Sequence, residues 1–426
     1  MLFLSARLAN FRHITIKTEL HMFSDLVQKS AHHAGQTLRT GCARAGLLLA
    51  GLFITGAAIA AWQDPLQTPA MATQKAHQTL LLDVIRVNQR LVAVGGHGNI
   101  IYSDNNGETW VQASVPVSVT LTAVYFPSGD FGWAVGHDGI ILHSSDGGKT
   151  WSKQFDGYMA NDAIVAGAEQ KKEYAMARLE EAEDSGDDIA VEDAEVALED
   201  ATFGLEDAMY DQETGSTKPF LDVWFYDAKR GFAVGAYGMF FYTSDGGESW
   251  SDASARLNNP QRLHINAIAP VGPQSLVVVG EMGMILRSDD LGESWTLQES
   301  PYDGSLFGVV AKGDTQLLFG LRGHVYQSLD GGVVWDEMDT GSEQTVLSGV
   351  VAQEHTLLVG NAGSVVVFDE SMSAPKATTV EGRKGYAAAA ETSDGKFVLV
   401  GEAGVMRLDA NAGLIHQTIT MAAGDL

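Results

Sequence analysis

The sequence predicts an all-β chain folded as a seven-bladed β-propeller, with a helical hairpin set into the ring and a signal or anchor helix near the N terminus. Three observations predict it. One glycine-anchored phrase returns seven times, the units between its copies show strand patterning without a helical stripe, and one interval between copies is far too long.

Residues 1–61 carry the first element. Ala45 to Ala61, "AGLLLAGLFITGAAIAA", is uncharged, follows Arg39 and Arg44, and ends in the small residues Ala58-Ile59-Ala60. Basic, apolar and small segments in that order read as a secretory signal, and a run of about 17 residues also suits an uncleaved anchor. On either reading the chain beyond Trp62 is exported, to the periplasm, and the run 45–61 is the candidate tether to the inner membrane. Met1 and Met22 are both candidate starts. The one cysteine, Cys42, precedes the run, so it forms no disulfide within the chain and is misplaced for a lipid attachment.

Residues 62–78 read as a linker, and the ring begins at 79. The phrase is fullest as "GWAVGHDGIILHSSDGGKTW" (132–151) and recurs as "LVAVGGHGNIIYSDNNGETW" (91–110) and "GFAVGAYGMFFYTSDGGESW" (231–250). It returns as "LVVVGEMGMILRSDDLGESW" (276–295) and "LLFGLRGHVYQSLDGGVVW" (317–335), with weaker copies at 357–369 and 398–409. Its first glycine falls at Gly95, Gly136, Gly235, Gly280, Gly320, Gly360 and Gly401. Steps of about 40 to 45 residues match a four-stranded blade. In the second unit the strands are expected at 121–126, 132–136, 140–145 and 150–154. Blades 1 and 2 occupy 79–157, blades 3 to 7 occupy 218–421, and 422–426 is a tail. Each repeat reads as holding its own four strands, so closure is expected from apolar packing alone.

The loop "SSDGGKTW" (144–151) joins the third and fourth strands. Asn105, Asp146, Asp245, Asp290 and Asp330 hold its acidic position. Such side chains accept hydrogen bonds from amides a few residues onward, and the tryptophans that follow suit the wedge between blades. One carboxylate with a few hydroxyls is too little for calcium, and a catalytic acid is not repeated around a ring. A structural turn is expected.

The long step comes from 158–217. Helices are expected at 160–182 and 189–210, joined by "EDSGDD" (183–188), with a seam of Val191, Ala194, Leu198, Ala201, Leu205 and Ala208. The segment holds eighteen carboxylates against three basic residues, more than half of the net charge of -27. That charge excludes nucleic acid, which needs clustered Lys and Arg. A partner with a basic surface suits the hairpin, and a monomer is expected.

The Val-Gly-x-x-Gly turns and the links between blades share the face opposite the Asp-turns. Their variable positions supply the candidate partner-binding residues His97, His137, Asp138, Tyr237, Glu281, Arg322, Asn361 and Glu402, expected around the mouth of the axial channel. Two imidazoles and a carboxylate (His97, His137, Asp138) would suit a metal, but spacing across blades is too wide, so no metal or cofactor is expected.

The octets resemble the Asp-box, or BNR, repeat of sialidases and sortilin-like receptors. The fuller phrase is similar to that of the photosystem II stability and assembly factor family of cyanobacteria and chloroplasts, which has proteobacterial relatives. The resemblance covers about residues 80–420 apart from the insertion. It implies a noncatalytic exported propeller that binds a membrane protein or its complex and assists assembly or stability. The arginine-rich patch associated with that family is here reduced to Arg322, with Arg287 and Arg407 on adjacent strands. Two alternatives stand: a glycoside hydrolase using Glu281 and Glu402 across the channel mouth, or a periplasmic accessory subunit of an exporter.

Overall fold

A computed structural model of the chain describes residues 63–409, 412–415 and 419–422. The apolar run 45–61 lies outside those residues, as does most of the tail. No helix among the described residues is long and apolar enough to cross a membrane.

Seven antiparallel sheets form, in chain order, where the seven phrases predict them. In blade 2 the strands are Leu121–Tyr125, Gly132–Gly136, Ile141–Ser144 and Ser152–Phe155. The second strand of a blade is apolar and buried along its length, as in Gly132–Gly136 and Leu276–Gly280, because neighbouring blades cover both of its faces. Seven hydrophobic clusters result, one at each junction of consecutive blades, including the junction of blade 7 with blade 1. That closes the ring.

The repeated first glycine has a steric cause. Leu321 N donates to Ser305 O at 3.0 Å, and the equivalent bond recurs in all seven blades at 2.8–3.1 Å, from Gly96 N to Leu80 O round to Glu402 N to Gly385 O. A Cβ on the preceding Gly320, or on Gly360, would run into the same carbonyl oxygen. Only glycine lets the two backbones approach this closely. Every first strand also carries a one-residue irregularity at one register, between Leu81 and Asp83 in blade 1 and between Tyr386 and Ala388 in blade 7.

The Asp-turns tie the outer hairpins. In blade 4, Ser288 Oγ donates to Asp290 Oδ1 (2.7 Å), Ser294 N to Oδ1 (3.0 Å) and Ser294 Oγ to Oδ2 (2.6 Å). Asp146 repeats the set with Ser144 and Thr150, and Asp245 with Thr243 and Ser249. Asp330 accepts from Ser328 and from Val334 N, while Asn105 keeps the backbone bond and donates its amide to Thr109 Oγ1. Trp295 stands edge-on to Phe240 of the preceding blade at 5.5 Å, and Trp110 is fully buried against blade 7. Blade 6 has a shorter version that the pattern did not show: Asp369 accepts from Ser371 N and Ser373 N, and buried Met372 fills the junction.

Closure departs from the expectation of four strands per repeat and apolar packing alone. Among the described residues the fourth strand of blade 7 shrinks to a single bridge, Leu408 to Leu414. The chain then runs on, and Thr420–Met421 adds in parallel to Thr109–Trp110 as a fifth strand of blade 1. Ala422 N donates to Trp110 O at 2.7 Å. Residues 63–78, expected as a linker, are packed on the ring. Leu66 and Ala76 are buried, Ser118 N donates to Pro65 O (2.9 Å), and Asn99 Nδ2 to Ala76 O (2.9 Å). The segment His77–Gln78 lies against Gly404 of blade 7, as the inter-blade links do against the corresponding glycines elsewhere, so it stands in for the missing link from blade 7 to blade 1.

Helix α1 spans Gly157–Ser185 and α2 spans Asp188–Thr214, each several residues longer than the apolar pattern marked. Asp156 and Asp187 cap the two N termini through side-chain acceptance of backbone amides, and left-handed Gly186 (φ 69°) turns the chain between them. Ala175 and Ala182 on α1 meet Ala194, Ala201 and Ala208 on α2, all buried, so the helices close on a seam of small residues. Ala160 roots the hairpin among Phe155, Phe220 and Phe241.

Candidate partner-binding face

Second strands end and first strands begin on the face that carries the Gly-x-x-Gly turns, and the hairpin leaves from a link on the same face. Ser216 Oγ, at its base, donates to Asp138 O at 2.6 Å. Each two-residue turn has distinct first and second positions, and the eight predicted residues divide between them. His137, Glu281, Asn361 and Glu402 are first-position residues, whose amides make the ring of bonds to the links. His97, Asp138, Tyr237 and Arg322 are second-position residues, held with Met282 and Ala362 at φ 52–59°. A left-handed conformation costs a non-glycine residue about 1 kcal/mol. His97, Tyr237, Met282 and Arg322 nonetheless stand there, all exposed.

None of these eight residues lines the cavity on the axis. They join second to third strands, whereas the axis is walled by the first strands, around a cavity of about 210 Å³. Instead they fall into local groups. Tyr237 and His264 meet edge to face at 4.8 Å, His264 N donates to Glu281 Oε2 at 2.9 Å, and Lys218 Nζ lies 5.4 Å from the Tyr237 ring. Lys218 pairs with Asp211 of α2, and Arg262 lies 3.8 Å from Asp207, so this group adjoins the hairpin root. Arg322 borders a cavity of about 330 Å³ with His324 and Glu337, which are 2.7 Å apart. Asn361 and Glu402 flank Gly385. Burial raises the Asp138 carboxyl above its ordinary pKa, partly offset by His137. Glu281 and Glu402 belong to separate groups, on blades 4 and 7. Among the described residues no group of three or more His, Cys, Asp or Glu is arranged to hold a metal ion.

Sequence reasoning missed Lys218, Arg262 and His264, which lie in irregular links. It also missed two aspartates in the channel wall. Asp83 accepts from Val84 N and, across the blade junction, from Val124 N (2.8 Å each). Asp222 does the same with Val223 N (2.8 Å) and Ile268 N (2.9 Å). Burial pushes Asp83 up to about 6 and Asp222 up to about 7, the latter helped by the charge of Asp83. A sequence signal exists: both sit in the tripeptide Leu-Asp-Val, at 82–84 and 221–223. The face as a whole offers rigid turns with polar groups of both signs, suited to holding a segment of another protein.

Comparison with known proteins agrees in fold and family. The family model described as photosynthesis system II assembly factor YCF48 matches residues 52–142 and 207–405, leaving out most of the hairpin. A curated relative, the photosystem II assembly lipoprotein Ycf48 of Synechococcus sp. (strain CC9902), is 32% identical over 133 residues, which are 30% of this chain and 38% of the relative. The chain thus aligns with well under half of that relative's length. A solved YCF48 bound to a D1 peptide has a TM-score of 0.53 at 14% identity, covering 79% of this chain and 97% of that one. A YCF48 from Cyanidioschyzon merolae gives the same figures, and the WD40 propeller domain of Doa1 gives 0.51 at 10% identity over 80% and 95%.

Proposed function

The chain belongs to the YCF48 family of photosystem II assembly factors, and from that premise we propose that it is a noncatalytic scaffold whose turn face holds a segment of a membrane protein during assembly. The observation that carries the reading is the left-handed second position of the turns. Glycine or asparagine fits there without strain, yet His97, Tyr237, Met282 and Arg322 occupy it and point chemistry outward from a fixed backbone. The peptide-bound relative supports a client presented as an extended segment. Two cations of this face are partnered by carboxylates, Lys218 by Asp211 and Arg262 by Asp207, which supports a client matched to a mixed rather than a strongly basic surface.

The apolar run 45–61 and the lipoprotein relative support an exported, periplasmic scaffold tethered to the membrane where its client is inserted. The hairpin, with its excess of carboxylates, meets a basic part of the same client.

Site-specific photo-crosslinking tests the assignment of faces. A crosslinking residue at Tyr237 or Arg322 is expected to capture a membrane protein from solubilised membranes of the source organism, and one at Glu293, beside an Asp-turn, is not. Equal capture from both faces overturns the reading. Hydrolysis of sialosides or glucans that Glu281→Gln abolishes would overturn its noncatalytic part.

A further inference from the structure

Helix α2 carries a second pattern besides its alanine seam. Its residues fall into heptads, "IAVEDAE", "VALEDAT" and "FGLEDAM" from 189 to 209, followed by Tyr210. The leading position of each, Ile189, Val196, Phe203 and Tyr210, is 74%, 55%, 57% and 69% exposed. At about 100° per residue, Val196 lies about 200° around the helix from Ala194, so this row faces directly away from α1. Glu192, Glu199, Glu206 and Glu213 form a row about 60° to one side of it. Asp193, Asp200 and Asp207 form another about 40° to the other side. The apolar row runs about 32 Å along the helix between two carboxylate rows.

We propose that this outward face of α2 is a docking strip for a basic amphipathic helix of a partner protein. A merely solvated helix gains nothing by keeping four large apolar residues in one register, because each costs free energy in water. A row with one apolar residue per heptad supplies half of the a and d contacts of a coiled-coil seam, and the carboxylates beside it leave the other half to charge. The flanking rows choose the occupant. A second copy of this chain would bring carboxylate rows against each other, whereas a helix with Lys or Arg on both sides of its apolar stripe neutralises them. Beside the strip, a groove of about 300 Å³ lined by Leu179, Leu198, Thr202 and Phe203 offers a seat for one apolar side chain. The proposal rests on the reading above only for the partner's basic character, and it replaces a diffuse charge contact by a helix in register.

The test uses the detergent-solubilised full chain and a labelled synthetic 28-residue helix bearing leucine at heptad spacing between lysine rows. A scrambled peptide of the same composition is the control, and fluorescence anisotropy is the readout. The amphipathic peptide is expected to bind at least tenfold more tightly than the scrambled one. The double variant Val196→Ser/Phe203→Ser is expected to lose that preference while its helicity by circular dichroism is unchanged, since both side chains are exposed. Equal binding of the two peptides, or an undiminished preference in the double variant, overturns the strip. Failure of the Tyr237 crosslink with the tenfold preference intact overturns the turn-face reading and leaves the strip standing.

Discussion

At the outer edge of the ring Asp290 accepts hydrogen bonds from Ser288, Ser294 Oγ and Ser294 N. At the axis Asp222 accepts two, both from backbone amides. Their ionisation nonetheless runs in opposite directions. The hydroxyl and amide of Ser294 hold Asp290 down to about 2, and those of Ser249 do the same for Asp245. Burial overrides the amides at the axis and lifts Asp83 and Asp222 to about 6 and about 7. Hydrogen bonding alone does not set a carboxyl's charge; the water left around it decides.

The largest expected effect concerns what the rim turns support. Trp110→Ala empties the wedge between blades 1 and 7 and is expected to lower stability by about 3–5 kcal/mol, read from urea unfolding. Second, Asp222→Ala leaves the amides of Val223 and Ile268 without an acceptor and is expected to cost about 2 kcal/mol. Smallest is Asp290→Ala, about 1 kcal/mol, because water reaches the amides it abandons. A larger loss from Asp290→Ala than from Asp222→Ala would break the contrast between the two radii.

A pH series sharpens it. The axial carboxyls have folded pKa values above the unfolded 3.8, so their contribution is complete below about pH 4 and is lost as pH rises through about 6 and 7. Rim carboxyls have depressed values, so theirs is present above about pH 4 and is lost as pH falls through about 2. Asp83→Asn/Asp222→Asn is expected to remove the decline between pH 4 and 7 and to leave the acid limb in place. A decline that persists in that variant refutes the assignment.

The repeat made the blades legible because each strand and turn must satisfy the same neighbours, so glycines such as Gly320 recur wherever two backbones meet. The hairpin was legible through its alanine spacing, although caps such as Asp156 extend its helices beyond the apolar pattern. What occurs once was not legible. Residues 63–78 and Thr420–Met421 match no repeat, since they close the ring at its single seam. The partner-binding candidates were found by position in the turn, but their grouping depends on links whose lengths vary, which is why His264 between Tyr237 and Glu281 escaped notice. Asp83 and Asp222 looked like ordinary polar residues of half-buried strands, because sequence alone does not reveal which strand lines an axis.

The parallel addition of Thr420–Met421 to Thr109–Trp110 sets an order on biogenesis. As the chain emerges from its N terminus, the outer edge of the first sheet must wait for about three hundred further residues before its last partner arrives. Until then that strand presents unpaired amides and carbonyls on which other chains can template. Contacts this distant in sequence also slow folding. The finished ring is therefore a late event, completed only when the end of the chain reaches back to the first sheet.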